Sequence, residues 1–390
     1  MIKLPKNVEF IISRLEAFGH RADIVGGCVR DRLLDKEPSD YDITTDATPE
    51  EMREVFSDMR TVDTGIKHGT LTVLVDSLPY EITTYRLDGE YSDNRHPDNV
   101  SFTRCLADDL SRRDFTVNAM CYSYTNGFTD LFGGVRDLNA RIIRAVGDPE
   151  LRFTEDALRI LRALRFASVL DFCIEENTSL AIRKKSELLK NVSKERIYTE
   201  WKKLVRGIGA YRILAEYKDV IAVIIPELSD FSLPDERLFS ESDADIRELS
   251  LFADGGRGAF IEAMSLLKCD NKHKNYGAAV LENLDSVIDT ETDMKLLLIK
   301  VGEDTAKGII RLKILLGLSD SRSLHKLENL LQNGVCYRIS DMKINGNDLI
   351  ALGLRGKEIG DILTRLLVMI AENKVENERK ALLGAVAKLV

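Results

Sequence analysis

Two alternating aspartates, Asp40-Tyr41-Asp42, follow the segment Gly26-Gly27-Cys28-Val29-Arg30-Asp31, which itself follows the apolar pair Ile24-Val25. On an extended strand alternate side chains share a face, so both carboxylates would point the same way with Cα atoms roughly 6–7 Å apart. That arrangement suits one Mg²⁺, or a pair of metals about 3.5–4 Å apart of the kind two-metal phosphoryl transfer uses. The glycine pair, Gly27 in particular, lets backbone approach phosphates with no Cβ in the way, and Arg30 would add a charge-assisted contact to a triphosphate. No Walker lysine follows, so this is not a P-loop. Taken alone, D-x-D is more often an Asp-rich turn or a helix cap. The strand, Gly-Gly and helix before it, and Ile43-Thr44-Thr45 after it, favour the metal-binding reading. A third acidic partner is expected from a neighbouring strand; Glu81 is the candidate, and a solvent-facing or salt-bridged strand residue explains it equally well.

The elements that must position these groups occupy the first part of a 390-residue chain, long enough for two to four domains. Ile24-Val25, Asp40–Thr45, Thr70–Val75 and Tyr80–Tyr85 read as short strands, with a helix before the first and another after the second. After Gly147-Asp148-Pro149 the character changes to Leu, Ile and Ala at helical spacing, and the remainder reads as all-helical. The expected segments are a head at 1–147, a neck at 148–206, a body at 207–335 and a tail at 336–390. Within the neck, Asp156, Arg159, Arg162 and Arg165 recur every three residues and make a polar stripe on a helix; on spacing alone, Glu155–Arg159 and Asp156–Arg159 ion pairs explain it.

Several classes are disfavoured. No apolar run approaches the roughly 18 residues of a membrane span, and the N-terminus reads as an amphipathic helix rather than a targeting segment. The six cysteines are scattered without metal-ligand spacing, so a reducing cytoplasm is the expected location. A net charge of −9 argues against indiscriminate nucleic-acid coating. Local basic clusters remain at Arg112-Arg113, along 152–165, and from Lys184-Lys185 to Arg206.

The residues at 22–205 resemble the class II tRNA nucleotidyltransferase and poly(A) polymerase family, which includes the CCA-adding enzymes. The resemblance rests on G-G-x-V-R-D at 26–31, D-x-D at 40–42, H-G-T at 68–70, R-R-D-F-T-x-N-A at 112–119, D-x-F-G-G-x-x-D-L at 130–138 and E-D-x-x-R-x-x-R-A-x-R-F-A at 155–167. The tail, with Ile344-Asn345-Gly346-Asn347-Asp348-Leu349, is similar to Gram-positive-type bacterial members. None of His20, His68, His96, His273 and His325 precedes an Asp, so the phosphohydrolase domain of some relatives is not expected.

The resemblance implies an α+β fold: a polymerase-β-like nucleotidyltransferase head with a small mixed sheet, then helical neck, body and tail in a seahorse-like arrangement. It implies an Mg²⁺-dependent, template-independent enzyme that adds C, C and A to the 3′ end of tRNA from CTP and ATP. Asp40 and Asp42 would hold metal, while Gly27, Arg30 and Arg113 would bind nucleotide. Asp114 and Asn118 match the pair that reads the ribose 2′-OH, and Arg162 and Arg165 match residues that contact phosphates or the adjacent base.

Base choice follows from the Watson–Crick edges. Cytosine and adenine each offer an amino donor beside a ring-nitrogen acceptor, where uracil and guanine offer a carbonyl. Asp156 would accept from the amino group and Arg159 would donate to the ring nitrogen, whereas UTP or GTP would leave groups unpaired at about 1–3 kcal/mol each. The polar segment 87–99 reads as a mobile loop; the resemblance associates a full-length loop here with addition of the final A and so implies complete CCA addition. The tail and body would grip tRNA through phosphate and shape. No protein partner and no membrane are implied. An A-adding enzyme of a split CC/A pair, a poly(A) polymerase and a catalytically silent RNA-binding protein are the alternatives.

Overall fold

The computed structural model describes residues 2–89 and 100–389. Helix α1 (Lys6–Ala17) buries Val8, Ile11, Ile12 and Leu15, the i, i+3, i+4, i+7 spacing of a one-faced helix. It leads to β1 (Ala22–Val25), α2 (Gly27–Leu33), β2 (Ile43–Thr45) and α3 (Pro49–Val55). Thr48 starts α3 with a capping box to Glu51 and Pro49 at the first helical position. Strands β3 (Thr61–Gly65), β4 (Thr70–Val75) and β5 (Leu78–Thr84) follow as an antiparallel meander. Strand β4 alternates as the pleat requires, with Leu71, Val73 and Val75 buried.

Strands β6 (Arg86–Asp88) and β7 (Val100–Phe102) pair with each other. Leu87 and Asp88 of the expected loop therefore belong to a strand, and its residues 90–99 lie outside the described residues. Helix α4 (Leu106–Ser111), β8 (Met120–Ser123), β9 (Gly127–Asp130) and α5 (Gly134–Asn139) complete the head.

The main sheet has seven strands in the order β3-β4-β5-β2-β1-β8-β9. It is mixed: β2 runs parallel to β5, and its other pairings are antiparallel. Its core joins α1 and α3 to the sheet through Ile11, Leu15, Ile24, Ile43, Val55, Phe56, Leu71 and Ile82. Full burial of each such side chain contributes about 1.5–3 kcal/mol. The expected strand Asp40–Thr45 is shorter than read; pairing by strand criteria begins at Ile43 and leaves the D-x-D in the extended segment before it. Strands β3, β8 and β9 were absent from the sequence reading. All four residues of β8 are buried, so no alternation marks it.

The neck helices are α6 (Pro149–Glu155), α7 (Leu158–Leu170), α8 (Glu176–Lys185) and α9 (Lys194–Arg206), followed by α10 (Ala210–Glu216) and α11 (Lys218–Ile224). The neck is not purely helical: β10 (Ile142–Ile143) pairs in parallel with β11 (Cys173–Ile174) and ties it to the head. Helix α9 packs on α7 with Ile197, Trp201 and Leu204 buried. The chain divides into two compact units, Met1–Pro226 and Glu227–Val390. The second is helical among its described residues, and the stretch from Cys336 to Val386 forms its own apolar cluster around Leu349, Leu366 and Leu382. No helix among the described residues is long and apolar enough to cross a membrane.

Candidate active site

The turn between β1 and α2 places Gly26 at φ +82°, where an L side chain is strained. A Cβ there would stand 3.1 Å from Arg113 Nη1, so the bare backbone is what lets that guanidinium approach. Gly27 begins α2 and faces Arg30 Nη2 at ordinary contact distance. Beside this turn, the Asp42 carbonyl accepts the Val25 N–H at 3.0 Å, which anchors the D-x-D backbone to β1.

Because β2 and β5 are parallel with Ile43 opposite Ile82, the preceding residues Asp42 and Glu81 come at the same end of the sheet. Asp42 is exposed at the rim of the cleft, yet its carboxyl is raised from the ordinary range. Close packing is the first cause, and the charges of Asp40 and Glu81 add to it against the pull of Arg113. Asp40 is exposed and accepts from Ser39 Oγ at 2.9 Å. The three carboxylates are electrostatic neighbours; among the described residues no three His, Cys, Asp or Glu side chains are closed into a ligand cage. Their donor chemistry fits a hard divalent cation, which would relieve the repulsion that raises Asp42.

Behind this cleft runs a chain of charged hydrogen bonds. Arg30, buried, donates from Nη1 to Asn118 Oδ1 at 2.7 Å and from Nε to Asp31 at 2.8 Å. Asn118 Nδ2 donates to Asp114 Oδ1 at 3.1 Å, and the same oxygen accepts the Phe115 N–H at 2.8 Å. Asp114 Oδ2 accepts from Arg162 Nε at 2.8 Å and Nη2 at 2.5 Å. Burial would raise the Asp114 carboxyl, but Arg162 and Asn118 outweigh it and bring it down to about 2. Arg30, Arg162 and Arg165 also share one aromatic ring, with guanidinium carbons 5.1, 5.3 and 3.5 Å from the Phe166 centroid.

One support was missed in the sequence, and a second segment was quoted there for the resemblance without a role. Asp109 is fully buried and binds Arg112 and Arg113 from one side and the Thr44 hydroxyl from the other. Burial opposes its ionisation, yet the two arginines hold its carboxyl below the usual range. Its i, i+4 spacing to Arg113 was the available signal. The D-x-F-G-G-x-x-D-L segment is a brace: Asp130 accepts the Gly134 and Val135 N–H groups, and Asp137 accepts from Thr116. A Cβ on Gly134 would meet the Thr116 carbonyl at 2.4 Å, so glycine there sets the turn that presents Asn118.

On the neck, Arg159, Arg162 and Arg165 lie on α7, but Asp156 does not. It sits at a break between α6 and α7 with φ −131° and ψ 102°, because its Oδ1 caps the Leu158 N–H at 3.0 Å. The allowed Glu155–Arg159 pair forms at 2.8 Å, whereas Asp156 pairs with Arg196 at 3.0 Å instead of Arg159. Arg159 is buried and also donates to the carbonyls of Arg112 at 2.8 Å and Arg152 at 3.3 Å. Arg165 pairs with buried Glu200 of α9 at 2.8 Å. The structure thus brings Gly26, Gly27, Arg30, Arg113, Asp114, Asn118, Arg162 and Arg165 into one continuous network. It gathers Asp40, Asp42 and Glu81 next to Arg113, and holds Asp156 and Arg159 at the base of α7.

Known proteins share this architecture. Residues 22–144 match the family described as Poly A polymerase head domain, and residues 248–386 match tRNA nucleotidyltransferase domain 2. The chain is 37% identical to a CCA-adding enzyme of Pediococcus pentosaceus, over 97% of this chain and 96% of that one. It is 36% identical to one of Ligilactobacillus salivarius, over 97% and 95%. A crystal structure of the Bacillus stearothermophilus CCA-adding enzyme in complex with CTP superposes with a TM-score of 0.74 at 28% identity, covering 99% of this chain and 98% of that one.

Proposed function

The chain belongs to the CCA-adding enzymes, and from that premise we propose that the cleft at Gly26, Asp40, Asp42, Glu81 and Arg113 is its polymerising centre. The protein is a tRNA nucleotidyltransferase that adds C, C and A to the tRNA 3′ end from CTP and ATP without a template. The observation that carries the site assignment is the gathering of Asp42 and Glu81 at one end of a parallel strand pair, with Asp40 and Arg113 beside them.

In this reaction the tRNA 3′-hydroxyl attacks the α-phosphate in line and pyrophosphate leaves. Asp40 and Asp42, with Glu81 as third candidate, would hold Mg²⁺. Bound there, Mg²⁺ supplies a lowered hydroxyl pKa and charge neutralisation at the leaving group. Arg113, whose charge acts on Asp42, would offer its guanidinium to the triphosphate, and the missing Cβ of Gly26 leaves room for it. Arg30, tied to Asn118 and Asp31, acts on the phosphates from a fixed position.

Ribose selection falls to Asn118 and Asp114. Both oxygens of Asp114 already accept two hydrogen bonds each, so a 2′-hydroxyl reaches Asp114 by displacing a partner or is read by Asn118. Asp156 and Arg159 select the base as acceptor and donor. Arg162 and Arg165 then face phosphates or the adjacent base. We propose the cytoplasm, the compartment expected from the scattered free cysteines, as the place where it acts on tRNA.

A gel assay on tRNA transcripts ending before CCA, after C and after CC, with CTP, ATP or both, tests this reading. Stepwise C, C, A and arrest is expected, with no product in EDTA and recovery on adding Mg²⁺. Addition of A alone to the CC-ended transcript would indicate an A-adding enzyme. Long A tails would indicate a poly(A) polymerase.

A further inference from the structure

We infer that Arg32, on α2, is a positioning residue for metal binding: it pins Tyr41, the residue between the two aspartates, so that the Asp40 and Asp42 side chains stay turned into the cleft. This rests on the proposed reading of Asp40 and Asp42 as the metal-holding pair. Both lie within residues 34–42, which join α2 to β2 and precede the first strand pairing at Ile43. The sheet ladder therefore does not set their direction. The bond from the Val25 N–H to the Asp42 carbonyl fixes the backbone at one end of the pair. Asp40, at the other end, accepts from its neighbour Ser39 Oγ, a contact that moves with the segment itself.

Arg32 holds the segment at two points. Its Nε donates to the Tyr41 hydroxyl oxygen at 2.9 Å, while Nη1 and Nη2 donate to the two oxygens of Glu37 at 2.6 and 2.7 Å. One planar guanidinium, anchored in the last turn of α2, thus ties the entry of the segment to the centre of the D-x-D. The Tyr41 side chain is half-buried and packs against the core of the head. In extended backbone successive side chains point to opposite sides. A tyrosine held on the core side therefore directs Asp40 and Asp42 to the other, where Asp42 meets the charges of Glu81 and Arg113. A stabilising role alone fits these contacts poorly: the Glu37 side chain is 70% exposed, and an ion pair open to water contributes little to folding. Because Glu37 balances the charge of Arg32, the pair also adds little net field at the carboxylates. What it supplies is direction, and metal affinity depends on groups that orient the ligands from behind.

Two readouts on the full chain test this: Mn²⁺ binding without nucleotide, from the EPR signal of free Mn²⁺, and the Mg²⁺ concentration at half-maximal C addition. Tyr41→Phe keeps the ring and removes the hydroxyl, Arg32→Met removes the donor, and Asp42→Ala removes a ligand. Tyr41→Phe and Arg32→Met are each expected to raise the Mn²⁺ Kd and the Mg²⁺ midpoint about tenfold, with kcat at saturating Mg²⁺ near the parent value. Since both act through one bond, the double variant should bind Mn²⁺ no more weakly than Arg32→Met alone. A merely structural defect would lower the amount of active enzyme and leave the midpoint in place. If both single variants bind Mn²⁺ like the parent while Asp42→Ala loses it, the positioning role is wrong. It is equally wrong if Arg32→Met alone weakens binding, because the Tyr41 hydroxyl then carries nothing. If Asp42→Ala binds Mn²⁺ like the parent, the metal reading fails first and takes this inference with it.

Discussion

At the end of β2 and β5 three carboxylates stand near one another, and their like charge helps raise the Asp42 carboxyl. On the neck, by contrast, Asp156, Arg159, Arg162 and Arg165 each already hold an ion-pair partner in Arg196, Glu155, Asp114 and Glu200. The first region stores repulsion that a divalent cation removes, so it is completed by adding something. The second is complete without ligand, so a nucleotide engages it by sharing or exchanging partners. Recognition built in this way is conditional: a wrong base that cannot replace the lost hydrogen bonds leaves buried groups unpaired.

The comparison breaks most sharply at the carboxylates. Asp42→Ala should lower C addition by roughly a thousandfold or more while tRNA binding, followed by filter retention, stays near the parent value; an active Asp42→Ala would remove the metal assignment. The next largest effect is expected from Asp114→Asn, which deprives Arg162 of its charge partner. Discounted for the solvent that reaches Arg162, the loss is about 2 kcal/mol in urea-induced unfolding.

That variant also carries a pH signature. The Asp114 carboxyl titrates at about 2 when folded against about 3.9 when unfolded. Its contribution is therefore fully present above about pH 4 and is lost as pH falls toward 2. Stability of the parent should fall more steeply over that acid window than stability of Asp114→Asn, and identical acid limbs would contradict the pairing.

Arg159→Lys keeps the charge but cannot span Glu155 and the carbonyls of Arg112 and Arg152 together. Discrimination of CTP from UTP should drop about tenfold with little change in Mg²⁺ requirement, separating the two regions. The smallest effect belongs to a residue in neither class. Thr48→Ala removes the cap of α3 and should cost about 1 kcal/mol, with the CTP/UTP ratio unmoved.

How far the sequence carried these conclusions depended on the range of each interaction. Strand β4 was legible to the residue because one face is buried and alternation survives in Thr70–Val75. Strand β8 was not, since burial of all of Met120–Ser123 erases the period. The Gly-Gly turn, the D-x-D and the arginine series were visible as local spacing. Asp156 was legible as a site residue but not as a helix break, because no Gly or Pro marks it and its capping bond needs only its own carboxylate. Asp156–Arg196, Arg162–Asp114 and Arg165–Glu200 join residues 40, 48 and 35 positions apart, and no periodicity encodes such pairs.

The ring of Phe166 lies against Arg30, Arg162 and Arg165, and each of these cations has its own carboxylate in Asp31, Asp114 or Glu200. The cluster is balanced three against three around one aromatic ring. Its members are therefore subject to a parity rule: any single neutralisation leaves one charge without its partner, whereas two matched changes do not. Across related chains, losses at these six positions should occur in acid–base couples, so that a chain lacking Glu200 also lacks the arginine at 165.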